Sequence, residues 1–383
     1  MTSCPPHILS SSIAEKLYYY KHEVIVNHRT LAKTIDLIDH KANATLDRRL
    51  IFLVGGTGVG KTAALKKVIE RRINRRTHEI SVQPEISPAI YIEAEAPDVG
   101  EFAFKSLYLD ALVALKTPLI NRTLPIIERA ANDRHIMSLQ IERIRQVQAG
   151  EGPLKTRFLS SLVERETELV GIDEAVNVFS TGKPKSDRDR LDRIKLQANK
   201  LKTFTNTTPV ALVLAGAYDF FEATLSSGQN ARRSVIIHME PYPQTEFGMI
   251  GFIEALVGLV SHLPIKHNLN ITEISTEIFL QSLGCVGMAK QIFCEALLLA
   301  CTGNEVLTLN HIRQGYYPAA QLKVMKSDLS FGINAIREAT SLETLASPEK
   351  ARVGHGLNEV NNLHKLKPGD TKPSHREEAT QKW

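Results

Sequence analysis

Nowhere in the 383 residues do eighteen apolar residues run together, so no membrane-spanning helix is expected and no membrane partner follows. The opening MTSCPPHILSSS lacks the basic start and apolar core of a secretory signal, which points to a protein kept inside the cell. Cysteine is scarce. Cys4, Cys285, Cys294 and Cys301 form no CxxC pair, and no zinc pattern is present. The last three fall within an apolar helical pattern, as expected of buried thiols in a reducing compartment. Aromatic residues make up only 6% of the chain, and its single tryptophan is Trp383, so few rings are available for stacking single-stranded bases. No internal repeat is evident, which argues against a solenoid or propeller.

Charge is nearly balanced, at a formal +5, but its distribution is uneven. Residues 66–76 (KKVIERRINRR) carry six basic side chains against one acidic. Residues 183–202 (KPKSDRDRLDRIKLQANKLK) carry eight against three. The rest of the chain holds 33 basic and 38 acidic residues. A uniformly basic, polyanion-coating protein is thereby excluded, whereas a locally basic surface is not.

Apolar runs alternate with helical patterns over the first 240 residues. Residues 50–54 (LIFLV), 90–94, 168–172 (ELVGI), 209–215 (PVALVLA) and 235–238 read as buried strands. Helices are expected over 13–44, after residue 62, twice within 100–148 around a Thr117–Pro118 break, over 154–166 and over 187–202. Ser186 and Asp189 make a capping-box start for the last of these. This alternation predicts an α/β fold, a mostly parallel sheet with helices on both faces. Beyond Pro241 and Pro243 the pattern becomes all helical, over 245–263, 273–283, 286–302 and 308–323. The expected domains are an N-terminal extension with linker helices (1–44), an α/β nucleotide-binding domain (45–243), a small helical lid (244–325) and a polar, partly disordered tail (326–383).

One segment decides the class. Gly55-Gly56-Thr57-Gly58-Val59-Gly60-Lys61-Thr62 matches GxxxxGK[ST] directly after an apolar strand and directly before a helix, the setting a phosphate-binding loop requires. Glycine lets backbone N–H groups turn toward phosphate oxygens, and the helix start adds partial positive charge. In this reading Gly55, Thr57, Gly58, Val59, Gly60, Lys61, Thr62 and Ala63 cradle a nucleotide. Lys61 reaches the β- and γ-phosphates, and Thr62 ligates Mg²⁺. Glu168-Leu-Val-Gly-Ile-Asp173-Glu174 supplies the partner carboxylates: Asp173 for Mg²⁺, and Glu174 to orient and deprotonate water. A neighbouring Glu of this kind favours nucleotide hydrolysis over transfer to a metabolite. Arg232 and Arg233, just before the last strand, are candidates to reach a neighbouring subunit's nucleotide and neutralise charge on the transferring phosphoryl. Lys290, at the start of a lid helix, is a candidate γ-phosphate contact. The alternatives for these three are solvated loop arginines and an exposed helix lysine.

Phosphate-binding loop, Asp-Glu strand, late arginine pair and helical lid, in this order, resemble the AAA+ superfamily. Three segments are similar to the TnsC/TniB ATPases that regulate DNA transposition in bacteria: VNHRTLAKTIDLIDHKANATLDRRLIFLVGGTGVGKTAAL, LVGIDEA before a basic helix, and VALVLAGAYDFFEATLSSGQNARRS. The resemblance covers roughly residues 25–300. It implies an ATP- and Mg²⁺-dependent, cytoplasmic ATPase that assembles head to tail into rings or filaments on double-stranded DNA. It further implies partners in a transposase and a target-selector protein. One departure stands out. The position after the fourth strand, usually Thr, Ser or Asn in such proteins, is here Gly216-Ala217-Tyr218-Asp219. Slow hydrolysis, or transfer of that sensing role to another group, are the two outcomes this leaves open.

Duplex DNA would be held through its phosphates, since no helix-turn-helix or zinc pattern suggests base readout. Arg188, Lys195 and Lys202 form one basic row along the 187–202 helix. Arg143, Lys155 and Arg157 lie between strands two and three, where ring ATPases can line a central channel, and 66–76 is a further candidate. Each has a bland counterpart, a solvated charged face. Competing classes are a STAND-type signalling switch, a replication-type AAA+ loader, and a scaffold that binds ATP without turning it over. The first calls for a repeat array and the second for a winged helix after the lid, and neither is evident.

Overall fold

A computed structural model describes residues 4–43, 50–97, 100–116, 150–221, 234–303 and 305–340. The strands are β1 (Leu50–Val54), β2 (Ala89–Glu93), β3 (Leu169–Asp173), β4 (Ala211–Gly216) and β5 (Ser234–His238). They form one sheet in the order β2-β3-β4-β1-β5, every neighbouring pair parallel. Each expected strand is present, with only its ends shifted. The first half of the chain contributes helices α1 (Pro6–Leu9), α2 (Ile13–Tyr18), α3 (Arg29–Asn43), α4 (Lys61–Arg75), α5 (Thr77–Val82) and α6 (Phe104–Lys116). Then come α7 (Glu151–Glu164), α8 (Asp187–Thr207), α9 (Glu246–Ser261), α10 (Ile271–Ser282), α11 (Val286–Thr302), α12 (Leu309–Gln314) and α13 (Ala319–Thr340).

The strands are apolar along their whole length because both faces of the sheet are covered. Alternation sends Ile51 and Leu53 of β1, and Val213 and Ala215 of β4, into a core closed by Leu31, Ile35 and Ile38 of α3 and by Leu65, Val68 and Ile69 of α4. Truncating Leu65 or Ile69 to alanine there would cost about 2–5 kcal/mol. On the opposite face Val170, Ile172 and Leu212 meet Leu107 of α6, Phe158 of α7 and Phe204 of α8. Ser186 caps α8, its hydroxyl accepting from the Asp189 N–H at 3.1 Å, but the Asp189 carboxylate accepts from the Lys185 N–H at 2.8 Å in place of the reciprocal bond of the expected capping box.

A second core is built from α9, α10, α11 and α12, with Phe252, Leu256, Ile278, Ile292, Phe293 and Leu297 buried in it. The N-terminal segment belongs to this core. Cys4, Ile8, Tyr19, Tyr20 and Val24 are buried against it, and the Tyr20 hydroxyl donates to the Leu259 carbonyl at 3.1 Å. All four cysteines are buried and unbridged. Among the described residues no single helix is long and apolar enough to cross a membrane.

Two expectations shift. The single helix read over 308–323 is two, because Pro318 cannot donate to the ladder and serves instead at the start of α13. The second then continues to Thr340, through the boundary expected at 325/326. The chain divides into two units between Ile333 and Asn334. Of the second unit, the described residues are the last turns of α13.

Candidate functional site

The carboxyl ends of β1, β4 and β5 lie level, with Val54 paired to both Gly216 and His238. The expected phosphate-binding loop leaves β1 at this edge and runs straight into α4. Gly58 (φ 78°) and Gly60 (φ 109°) adopt left-handed backbone, which an L side chain rarely accepts. Gly60 is the N-cap of α4 and offers no side-chain cap, so the first-turn N–H groups of a fifteen-residue helix remain available to an anion. Val59 is buried in the core beneath, while Thr57 and Thr62 are exposed. The Lys61 ammonium folds over the loop and donates to the carbonyls of Gly55 and Gly56, each at 2.9 Å. Burial lowers the pKa of Lys61, and the negative charges of Asp173 and Glu174 act against that shift.

Asp173 ends β3, one strand beyond β4, and is buried. Its carboxylate is fixed from two directions. The Tyr91 hydroxyl donates to Oδ2 at 3.0 Å, and the Glu174 backbone N–H donates to Oδ1 at 3.0 Å. Glu174 follows with an exposed side chain and φ 49°, a strained conformation for a residue with a Cβ. Loop, ammonium and carboxylate pair thus share one edge of one sheet. Uncapped amides, a lysine, the Thr62 hydroxyl and an Asp-Glu pair are a donor set that fits a nucleotide triphosphate with Mg²⁺.

The exit from β4 carries the departure noted in the sequence. Tyr218 lies on the loop side, close to Gly56. Its hydroxyl is 3.1 Å from Nε2 of His238, whose Nδ1 is 3.2 Å from Glu240. The helical region closes on the loop from another side, where the Gly287 N–H donates to the Gly58 carbonyl at 2.8 Å. Cys285 sits beside Lys61 in this contact, and burial pushes its thiol up to about 12.

Lys290 corrects an expectation. Its ammonium donates to the carbonyls of Lys21 (3.0 Å) and Val24 (2.6 Å), so it fastens the N-terminal segment to α11 rather than facing the phosphate loop. Arg232, Arg233 and Arg143 lie outside the described residues.

Both basic windows are paired within the fold, the first more completely: in 183–202, Arg193 pairs with Asp189 and Glu101, and Lys200 with Glu151. In 66–76 the positive charge is neutralised within the fold: Lys67 pairs with Glu70, Arg71 with Asp36, Arg72 with Asp39 and Glu168, Arg75 with Asp39, and Arg76 with Glu79 and Glu166. Arg72 and Asp39 are both buried, and Lys66 lies over the Tyr91 ring. This window is therefore structural, which corrects its candidacy for DNA. On α8, Lys202 is buried with its ammonium 3.5 Å from Asn199 Oδ1, and it drops out of the expected basic row. Arg188 and Lys195 remain exposed there, Lys195 with its ammonium 3.5 Å from Asp192, and Arg157 on α7 is exposed too, while Lys155 is half-exposed. Sequence reasoning missed Tyr91 and His238, and it noted Tyr218 only as a departure after the fourth strand, since nothing in the local pattern tells which strand ends will be neighbours.

No curated protein matches this chain. Among solved structures it is similar to the ORC2 protein of Aeropyrum pernix in ADPNP and ADP complexes, at 12% identity over 78% of this chain and 70% of that one, with a TM-score of 0.48. It is likewise similar to the ORC1 protein of Aeropyrum pernix in complex with DNA (14% identity, 78% and 68% covered, TM-score 0.49). A Walker-type ATPase of Pyrococcus abyssi aligns at 15% identity over 84% and 78%, with a TM-score of 0.46. Residues 44–224 match the family model described as AAA domain. That match spans the loop, β3 with its Asp-Glu pair, and β4, so this part of the chain is an AAA-type P-loop ATPase domain.

Proposed function

We propose that the chain is an ATP-dependent, duplex-DNA-binding ATPase of the TnsC/TniB type, which links selection of a target site to recruitment of a transposase. The observation that carries the ATPase part is the convergence of Lys61, Asp173 and Glu174 at one sheet edge, with the two carboxylates acting on the half-buried lysine. The Gly58–Gly60 backbone and the first turn of α4 would hold the phosphates, and Lys61 would turn from the Gly55 and Gly56 carbonyls to the β- and γ-oxygens. Mg²⁺, held by Thr62 and Asp173, would neutralise charge on the transferring phosphoryl when bound. Glu174 would take the proton of the attacking water, its exposed carboxylate lying one residue past the metal ligand.

Arg188 and Lys195, seven residues apart on α8, support contact with duplex phosphates together with Arg157 and Lys155 on α7. The resemblance in the loop, the Asp-Glu strand and the segment before Arg232 and Arg233 supports head-to-tail self-assembly in which these arginines act on a neighbour's nucleotide. A transposase and a target-selector protein follow from the same resemblance. The deciding experiment is binding to duplex DNA with and without ATP·Mg²⁺, followed by electron microscopy. ATP-dependent rings or filaments that are lost in Lys61→Ala are expected. A monomer that ignores DNA in the presence of ATP would sink the proposal.

A further inference from the structure

We infer that Tyr91 is a positioning residue for the metal carboxylate, resting on the reading of Asp173 as the group that holds Mg²⁺. Tyr91 stands on β2, paired with Gly171 of β3, so its phenol comes from the neighbouring strand and reaches the carboxylate two residues further along. The hydroxyl donates to Asp173 Oδ2 at 3.0 Å. The other oxygen is held by the Glu174 N–H, so the pair of bonds leaves the carboxylate one orientation. The ring itself is steadied by the Lys66 ammonium, 4.9 Å from its centroid, on the helix that begins with Lys61 and Thr62. Outer groups of this kind typically change metal affinity 10- to 100-fold when removed.

Tyr91→Phe removes one oxygen and keeps the ring. Its test is the affinity for a fluorescent ATP analogue, measured across a Mg²⁺ series and again in EDTA. The expected result is a Mg²⁺ midpoint raised about ten-fold, with affinity in EDTA changed less than about two-fold. An unmoved midpoint, or an equal loss in EDTA, overturns the inference, since a merely structural tyrosine would weaken both alike. Asp173→Asn run in parallel separates the two levels. If it leaves the midpoint alone, the metal reading of Asp173 falls and Tyr91 with it. If it shifts the midpoint while Tyr91→Phe does not, the Tyr91 inference alone falls.

A different contact carries a second inference: residues 319–333 form a strap whose seat on the phosphate loop competes with nucleotide, again resting on the nucleotide reading of that loop. Leu322, Met325, Leu329 and Gly332 follow helical spacing on the inward face of α13. A Cβ built on Gly56 would stand 2.4 Å from Leu329 Cδ1, so a methyl lies against the loop. A Cβ on Gly332 would stand 2.0 Å from Tyr218 Cγ, so only glycine lets the helix settle on that ring. An apolar methyl beside groups that must solvate a polyanion is unfavourable, and strap and phosphates therefore disfavour each other. Val324 and Phe331, 60% and 77% exposed, show how little covers the outward face.

Hydrogen exchange over 319–333, with and without the same ATP analogue and Mg²⁺, tests this alongside Gly332→Ala and Leu329→Ser. Faster exchange on nucleotide addition and several-fold tighter binding by the variants are expected. Slower exchange, or variants that bind equally or more weakly, overturn the strap. If neither wild type nor variants bind nucleotide, the nucleotide reading itself falls and takes the strap with it.

Discussion

The backbone N–H of Gly287, in the first turn of α11, donates to the carbonyl of Gly58 in the middle of the phosphate-binding loop. One main-chain bond thus couples the helical region to the residue whose left-handed backbone shapes the loop. A side chain at Gly58 is unwelcome twice over. Its φ is 78°, and a Cβ would stand 2.6 Å from Met288 Cγ. Gly58→Ala should destabilise the protein by about 1–3 kcal/mol and weaken nucleotide binding. Urea denaturation and nucleotide titration check both, and an unchanged midpoint would mean that the contact does not hold in solution.

Glu174 has an exposed carboxylate, so Glu174→Gln changes charge without disturbing packing. Hydrolysis should fall by about 10²–10⁴ while ATP affinity stays within about two-fold. Phosphate release measured beside equilibrium binding distinguishes the outcomes. Wild-type turnover in the variant would place the base elsewhere.

Two arginines of similar sequence setting should behave oppositely. Arg72→Ala leaves Asp39 buried without its guanidinium, at a cost of about 3 kcal/mol, the low end for a broken buried pair because Arg75 still reaches the same carboxylate. Arg188→Ala with Lys195→Ala should leave the melting transition nearly unmoved. It should also reduce the slope of log affinity for duplex DNA against log salt by about 0.9 for each phosphate that is no longer neutralised. Equal effects of the two sets on DNA binding would contradict the division drawn between the basic windows.

His28 predicts a pH dependence of stability. Its Nδ1 accepts from the Leu31 N–H at 3.4 Å and lies 3.0 Å from the Tyr242 hydroxyl, which itself accepts from the Thr30 N–H. The proton of the neutral ring is therefore assigned to Nε2. Burial lowers the pKa to about 4, below the ordinary value of about 6.5. The fold favours the neutral ring, so its contribution is complete above pH about 6.5 and is lost as pH falls through about 4, on the order of 3 kcal/mol in all. Denaturant midpoints from pH 7 to pH 4 should fall more steeply for wild type than for His28→Gln. Parallel curves would assign the loss to other groups.

The sheet, its parallel sense and the phosphate loop were legible because they are local. A buried parallel strand must be apolar throughout, and glycines before Gly-Lys-Thr answer to backbone geometry within eight residues. The same locality explains what could not be read. Lys290, Lys202 and the 66–76 window resemble surface charge by type and spacing. Their partners are Val24, Asn199, Asp36, Asp39 and Glu168, and only chain folding brings most of these near.

By itself, then, the sequence determined the strand-and-helix alternation, the left-handed glycine positions and the Asp173–Glu174 pair, because each follows from backbone sterics or hydrophobic period within a short span. The strand order was decided by tertiary structure alone. That order sets Tyr91 beside Asp173 and brings His238 level with Val54, while the packing of helices, equally tertiary, places the N-terminal tyrosines in the helical core. Those relations join residues up to 239 positions apart, as Tyr20 and Leu259 are, and no local pattern encodes a neighbour that distant.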